Sequence, residues 1–278
     1  MKIRKTMAGI WVKRGEEHLA RGSYDEALKE AKKALSYCDT DKRAHLIMAH
    51  ACMPGDDYLS ILSKLHERLN PESYVEIGVA TGSSLALANA ETRAIGIDPM
   101  PRIKAKIRSK ARLYPIPSDE FFERYDLFEE LGVSKLSMAF IDGLHLSDQV
   151  VRDFINVERF ASRETVILVH DCLPLNRLVA ARERKSPFWC GDVWRIIPCL
   201  KAYRPDLVIH TIAARPSGLA MITNLDPTST VLKDRLGEVT EFLMGLELEY
   251  DSLDGARKAA MDTIPGEWEQ VSRLLPAS

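Results

Sequence analysis

The hydrophobic pattern divides the chain in two. Between Gly15 and Cys52 the apolar residues recur at helical spacing. Tyr24, Ala27, Leu28, Ala31, Ala34 and Leu35 form one stripe, and Lys42–Cys52 reads as a second helix packed against it. Met53-Pro54-Gly55-Asp56-Asp57 breaks that periodicity, so residues 1–56 are expected to form a small helical amino-terminal segment and 57–278 the main domain. A helix over Tyr58–Leu69 then leads into short apolar runs at 74–79, 93–98, 111–116, 137–142 and 165–170, with helical stretches between them. Each run is expected to be a strand buried on both faces, and the alternation implies a parallel sheet with right-handed crossovers. Two later runs, 207–212 and 218–223, flank Pro216-Ser217-Gly218 and predict a closing antiparallel pair. The expectation is an α/β fold: seven strands, mostly parallel, with helices on both faces and a helical tail past Asp226.

The first strand carries chemistry at its end. Tyr74-Val75-Glu76-Ile77 runs into Gly78-Val79-Ala80-Thr81-Gly82-Ser83-Ser84, and the next strand, Ala94-Ile95-Gly96-Ile97, ends in Asp98. This is half of a nucleotide-binding, Rossmann-like unit, in which glycines admit a ligand close to the backbone and the acid receives ribose hydroxyls. A dinucleotide site usually shows G-x-G-x-x-G, whereas these glycines are spaced G-x-x-x-G and Ser83 and Ser84 are expected to open the following helix. Glu76 would repel a phosphate. Both features suit a ligand with an ammonium and an adenosine but no phosphate, which describes S-adenosylmethionine. At these residues the chain resembles class I methyltransferases, whose first motif reads E-x-G-x-x-x-G.

Composition excludes several classes. The chain has 278 residues, 46% hydrophobic, with a formal net charge of −2. A near-neutral balance supports no nucleic-acid footprint, and no apolar run is long enough to span a bilayer. The amino terminus has basic residues without a long apolar core, which argues against a secretory signal. Five cysteines without a C-x-x-C spacing read as reduced thiols, so a cytoplasmic location is expected.

A second constellation lies on later strands. Phe140-Ile141-Asp142-Gly143-Leu144-His145 ends the fourth, and Val166-Ile167-Leu168-Val169-His170-Asp171 ends the fifth. In an open α/β sheet, ligands bind outside the carboxyl ends of the strands near the point where strand order reverses. Asp142, His145, His170 and Asp171 are therefore expected to converge there. F-I-D-G-x-H, a helix with V-x-x-D from Val150 to Asp153, and V-x-x-H-D are similar to the methyltransferase family 24 branch of class I enzymes. That branch includes sugar O-methyltransferases and cephalosporin-hydroxylase-like proteins. The resemblance runs from about Tyr74 to Leu225.

The resemblance implies methyl transfer from S-adenosylmethionine to a hydroxyl of a small sugar-like or natural-product acceptor. It implies cofactor contacts from Glu76, Gly78, Ala80, Thr81, Gly82 and Ser83 on the loop, and from Asp98 and Pro99 at the second strand. Ser118 and Asp119 are expected near the adenine, with Asp142 and Gly143 completing the cofactor side. His145 is the candidate general base, with Asp142 as its catalytic partner. In related enzymes magnesium is held by an acid at the position of Asp142 and an acidic pair after the fifth strand. Here that pair is His170-Asp171, so Asp142, Asp171 and His170 are the candidate ligands of Mg2+ or another divalent ion. The competing readings are a non-methylating relative, oxygenase-like or NAD-dependent, and an interaction protein acting through its amino-terminal helices.

Three further stretches draw attention. Arg102 to Arg112 is basic at every second position, expected as a solvated connection. Cys172 to Asp192 is a long connection rich in arginine and aromatics, expected as a lid on the acceptor pocket. Gly22 to Ala34 resembles half of a tetratricopeptide repeat; a single copy makes no solenoid, so a helical cap or a homo-oligomer contact is expected. The acidic residues Glu238, Glu241, Glu247, Glu249, Asp251 and Asp254 are expected to pack against the basic amino terminus or another subunit.

Overall fold

The computed structural model describes residues 2–250, 253 and 263–275, with side chains from Lys5 onward. Asp251 and Asp254 of the acidic stretch lie outside the described residues. The sheet is built from β1 (Ser73–Ile77), β2 (Arg93–Ile97), β3 (Lys110–Tyr114), β4 (Met138–Ile141), β5 (Val166–His170), β6 (Val208–Ala213), β7 (Leu219–Thr223) and β8 (Thr263–Pro265). Their spatial order is β3-β2-β1-β4-β5-β7-β6-β8. β1 to β5 run parallel, and β7 is antiparallel to both β5 and β6. Strand order reverses between β1 and β4, whose registers pair Glu76 with Phe140 and Ile77 with Ile141.

Strand alternation sorts the core into two layers. Val75, Ile77, Ile95, Ala139, Ile141, Ile167 and Val169 face one side, against α5 (Ser118–Arg124), α6 (Leu127–Leu131), α7 (Ser147–Glu158) and α8 (Ile196–Tyr203). The later α9 (Val231–Asp234) and α10 (Leu236–Gly245) add Leu232, Val239 and Leu243 to the same layer. Tyr74, Met138, Phe140, Val166, Leu168, Leu219 and Met221 face the other side, mainly against Ile61, Leu62 and Leu65 of α4 (Tyr58–Leu69). α4 is amphipathic, with Asp57 capping the Ser60 amide at 2.8 Å and Asn70 closing it in the left-handed conformation. The carboxyl ends of β1 to β5 thus form one edge.

Before the sheet stand α1 (Lys2–Ala20), α2 (Tyr24–Tyr37) and α3 (Lys42–Cys52), packed on one another. Helix begins well before Gly15, where the apolar periodicity first becomes regular. The apolar faces of these helices join a third cluster with Leu173, Leu175, Val179, Phe188 and Cys190 of the connection after β5. Ala213 is the one strand residue in that cluster.

Three expectations need correction. β3, at the sheet's edge, is exposed or half-buried along its whole length, not buried on both faces, because one side has no neighbouring strand and its alternate residues are Lys110, Arg112 and Tyr114. The described sheet has eight strands, not seven: β8 pairs in parallel with β6, setting Thr211 against Thr263 and Ile212 against Ile264. Three residues, one of them proline, carry too short a pattern to be read as a strand. The helix expected after β1 is only a 3₁₀ turn, Leu85–Leu87, so Ser83 and Ser84 open no α-helix. Its place on that face is taken by α4, whose Ile61, Leu62 and Leu65 share a layer with Val79, Leu85 and Ala88. Asn89 ties the turn to the end of α4 by donating to the His66 carbonyl at 2.9 Å and to Asn70 Oδ1 at 2.8 Å.

Candidate active site

The loop after β1 is shaped by close approach. Gly78 has φ +91°, and a Cβ there would lie 2.0 Å from the Asp142 carbonyl oxygen. Only glycine fits, and the contact draws the ends of β1 and β4 together. Ala80 also adopts a positive φ, and Thr81 and Ser83 are exposed at the loop's outer side. Asp98 braces this loop: its Oδ2 accepts from the Ala80 amide and its Oδ1 from the Met100 amide, each at 2.7 Å. Half-buried Asp98 retains free lone pairs, since a carboxylate offers about four acceptor sites. Pro99 lies exposed beside it. A ligand with vicinal hydroxyls can be received here between a carboxylate and an exposed loop.

Glu76 does not open onto that cleft. It is fully buried, its Oε2 accepting from Tyr74 Oη at 2.6 Å and its Oε1 from Ser84 Oγ at 2.7 Å. Burial pushes its carboxyl up to about 8, against the lowering effect of those two hydroxyls. Its observed work is to pin the Ser84 turn to β1. Ser118 and Asp119 also take internal partners. Ser118 Oγ donates to Asp153 Oδ1 at 2.6 Å, and Asp119 meets Gln149 at 3.1 Å and Arg152 at 3.2 Å. Asp153 belongs to this polar group behind Gly143, where its unpartnered Oδ2 lies 3.8 Å from the position of a Gly143 Cβ.

The ends of β4 and β5 bring Asp142, His145, His170 and Asp171 together, as their strand positions require. His170 Nδ1 lies 3.1 Å from Asp142 Oδ1, and His145 Nε2 approaches the same oxygen at 3.4 Å. His145 Nδ1 comes within 2.8 Å of Asp171 Oδ2, out of line for a hydrogen bond, and neither atom has another partner in the protein. His145 and Asp171 have φ of 59° and 63°, a conformation that costs non-glycine residues on the order of 1–3 kcal/mol and gathers at functional sites.

The charges reinforce one another. Burial alone would lower the His145 pKa, but Asp171 and Asp142 outweigh it and push it up to about 10. For His170, too, burial is outweighed by Asp142 and Asp171, and its pKa rises. Burial works against the Asp142 carboxylate, yet His170 and His145 hold it well below the usual carboxylate range. The two imidazoles and the two carboxyl groups are thus electrostatically interlocked.

Several neighbours carry no signal in the sequence. Tyr58, from the first turn of α4, stacks on His170 with ring centroids 4.1 Å apart. Ser217, from the turn before β7, reaches His170 Nε2 at 3.4 Å. Trp189 lies nearly parallel to His145 at 5.2 Å. Gly191 touches the same segment: with φ +63°, a Cβ there would fall 1.8 Å from the His145 carbonyl oxygen. Arg182 fastens the connection to α7, bonding Asp148 at 2.6 Å and Asp192 at 3.2 Å.

The strand order, the acid-and-glycine loop and Asp98 together define a class I methyltransferase fold. Residues 75–172 match the family model described as a methyltransferase domain. Among solved structures, the chain is similar to cofactor-bound Rv0187 from MTB, at 16% identity over 70% of this chain and 95% of that one, TM-score 0.47. It is also similar to the O-methyltransferase TomG from Streptomyces achromogenes in complex with SAM, at 13% identity over 72% and 88%, TM-score 0.45. An O-methyltransferase from Bacillus cereus in complex with SAH gives 14% identity over 71% and 90%, TM-score 0.43. No curated protein matches the chain. Among the described residues, no helix is long and apolar enough to cross a membrane.

Proposed function

We propose that this protein transfers a methyl group from S-adenosylmethionine to a hydroxyl of a small sugar-like or natural-product acceptor. The observation that carries the reading is the Asp142–His145–His170–Asp171 cluster, set beside an Asp98-braced glycine loop at the carboxyl edge of the sheet. Asp98 and Pro99 receive the ribose. The loop amides from Gly78 to Ser83 meet the methionine end, and Glu76 acts from behind by holding Ser84. Ser118 and Asp119, with Gly143, border the adenine. The acceptor enters from the side of Trp189 and the 172–192 connection.

Methyl transfer is an in-line displacement at carbon, so most of the rate comes from holding oxygen, methyl and sulfur collinear. The acceptor hydroxyl must also lose a proton as the new bond forms. With its pKa pushed up to about 10, His145 is an imidazolium at neutral pH. Placed against a hydroxyl, that cation lowers the acceptor's pKa and steadies the developing oxyanion. It becomes a base when the charge on Asp142 and Asp171 is taken up by another cation.

The cluster fits such a cation. Asp142, His170 and Asp171 each offer one ligand atom, all within 4.8 Å of one another, and the buried Oδ2 of Asp171 has no hydrogen-bond partner. One imidazole with two carboxylates suits manganese, iron or zinc better than magnesium, which prefers oxygen ligands. A divalent ion there would supply Lewis-acid polarisation of the acceptor oxygen.

Calorimetric titration with S-adenosylmethionine and with NAD, followed by an acceptor screen with a labelled methyl donor, tests the reading. Binding of the first alone and label transfer to a hydroxylated compound are expected. NAD binding without S-adenosylmethionine binding would overturn it.

A further inference from the structure

The connection between Leu173 and Cys190 has two sides. The inner side presents Trp189 to His145. The outer side places Leu173, Leu175, Val179, Phe188 and Cys190 in one apolar cluster with α1 to α3. In the middle of that otherwise apolar contact sits a fully buried histidine, His45 of α3.

His45 is held on three sides. Its ring lies 5.4 Å from Phe188 and 1° from parallel. Nδ1 is 3.0 Å from the Asp41 carbonyl, which can only accept, so Nδ1 carries the hydrogen. Nε2 is then an acceptor, 3.3 Å from Asn176 Nδ2. This neutral form agrees with burial, which holds the His45 pKa below its ordinary value despite Asp41 and Asp39 nearby. The other end of the Asn176 amide accepts from the Val179 amide at 3.1 Å, and the Val179 carbonyl accepts from Cys190 at 2.9 Å. A continuous set of bonds therefore runs from α3 to Cys190, the residue next to Phe188-Trp189. Trp189 is further fixed by its indole N–H, which donates to the Ala181 carbonyl at 2.6 Å.

We propose that His45 is a positioning residue: through Phe188 and Asn176 it holds Trp189 against His145, so that the amino-terminal helices set the acceptor side of the active site. Simple packing would be met by leucine at this position without burying two ring nitrogens, each of which needs a partner. Among the described residues, the cluster takes one sheet residue, Ala213, and Tyr250 and Leu253 from the tail; the connection supplies five, the largest share outside the helices and the turn after them. The indole N–H is already committed, and the ring lies against His145 with the Arg184 guanidinium 5.9 Å from its centre, so this stack walls the acceptor side. The class favoured is an aromatic ring, or the apolar C–H face of a sugar, that carries its hydroxyl at the edge. This inference rests on the methyl-transfer reading for its meaning, but the contact itself can be tested separately.

The experiment compares the full chain with His45→Ala, His45→Gln and Phe188→Ala. Hydrogen exchange is followed by mass spectrometry, affinity for S-adenosylhomocysteine by calorimetry, and methyl transfer on a panel of glycosides and phenols. In His45→Ala and Phe188→Ala, exchange over 176–190 should rise about tenfold, the size of one lost buried hydrogen bond or stack, while 75–98 is unchanged. S-adenosylhomocysteine affinity should stay within about twofold, and acceptor KM should rise about tenfold with kcat nearly constant. His45→Gln, which keeps a donor and an acceptor, should restore much of the protection. Unchanged exchange over 176–190 overturns the proposal, as does a parallel loss of cofactor affinity in both alanine variants. If the unaltered chain fails to bind S-adenosylhomocysteine, the methyl-transfer reading falls, while the exchange data still decide the role of His45.

Discussion

At the residue scale, Asp98 and His145 carry the sharpest consequences. Asp98 holds two loop amides, and in the proposed function its remaining lone pairs receive the ribose. Asp98→Ala should weaken S-adenosylmethionine binding roughly tenfold or more, since a charge-assisted hydrogen bond is worth about 1.5–3 kcal/mol. Calorimetry with unchanged affinity would remove Asp98 from the site. His145 makes a different prediction because Asp171 and Asp142 outweigh burial and raise its pKa. His145→Ala should lower turnover about a hundredfold and leave cofactor affinity nearly intact. Turnover should not rise with pH near 6.5, the ordinary histidine value, because this imidazole keeps its proton up to about 10 in the arrangement described. A clear rise at that pH would make His145 a conventional base.

At the element scale, the 172–192 connection and the turn after β1 do the positioning. Arg182 ties the connection to Asp148 of α7 and to Asp192, while Gly191 packs on the His145 carbonyl. Deleting residues from its exposed tip, Glu183 to Lys185, should impair acceptor binding while cofactor affinity stays intact. A joint loss of both, measured by KM and by calorimetry, would make the connection structural. Replacement of the expected helix by a 3₁₀ turn also changes the loop's chemistry. Without a full helix there is no macrodipole to hold an anion, so the loop relies on its amides and on Asp98. This agrees with a ligand that carries no phosphate.

At the scale of the whole molecule, stability and acidity are linked through α4. His66 is fully buried against Tyr74, with ring centroids 4.7 Å apart, and neither ring nitrogen has a partner. Burial lowers its pKa from 6.5 to about 4. Between those values the unfolded chain binds more protons than the native one, so stability is present above about 6.5 and is lost as pH falls toward 4. The loss is at most about 3 kcal/mol over that window. His66→Phe should flatten it, as read from chemical-denaturation midpoints at pH 7 and 4.5. Equal acid sensitivity in both proteins would show that His66 is not responsible. Glu76 works in the opposite sense: its carboxyl, raised from 4.5 to about 8, binds more protons in the native state and costs stability as pH rises across that range. The comparison must therefore be between variant and unaltered chain, not against pH alone.

The sequence by itself determined the strands that bear the chemistry. Apolar runs buried on both faces have a strong local signature, and chain direction then places Asp98, Asp142 and Asp171 at one edge whatever their side-chain rotamers. Parallel pairing follows from the same alternation, whereas the reversal of strand order between β1 and β4 is seen only in the structure. Tertiary structure decided what those residues face. Glu76 reads as a ligand-facing acid, but Tyr74 and Ser84 close over it, because its side of β1 is the side that α4 covers. The helix expected after β1 gave way where α4, from before β1, fills that layer. The charge state of His145 depends on Asp171, which comes from another strand, and Phe188, the neighbour of Trp189, meets His45 of the amino-terminal helices. Local pattern records which residues avoid water and how the backbone turns; partners far apart in the chain meet only when the layers pack, and electrostatics acts through those meetings.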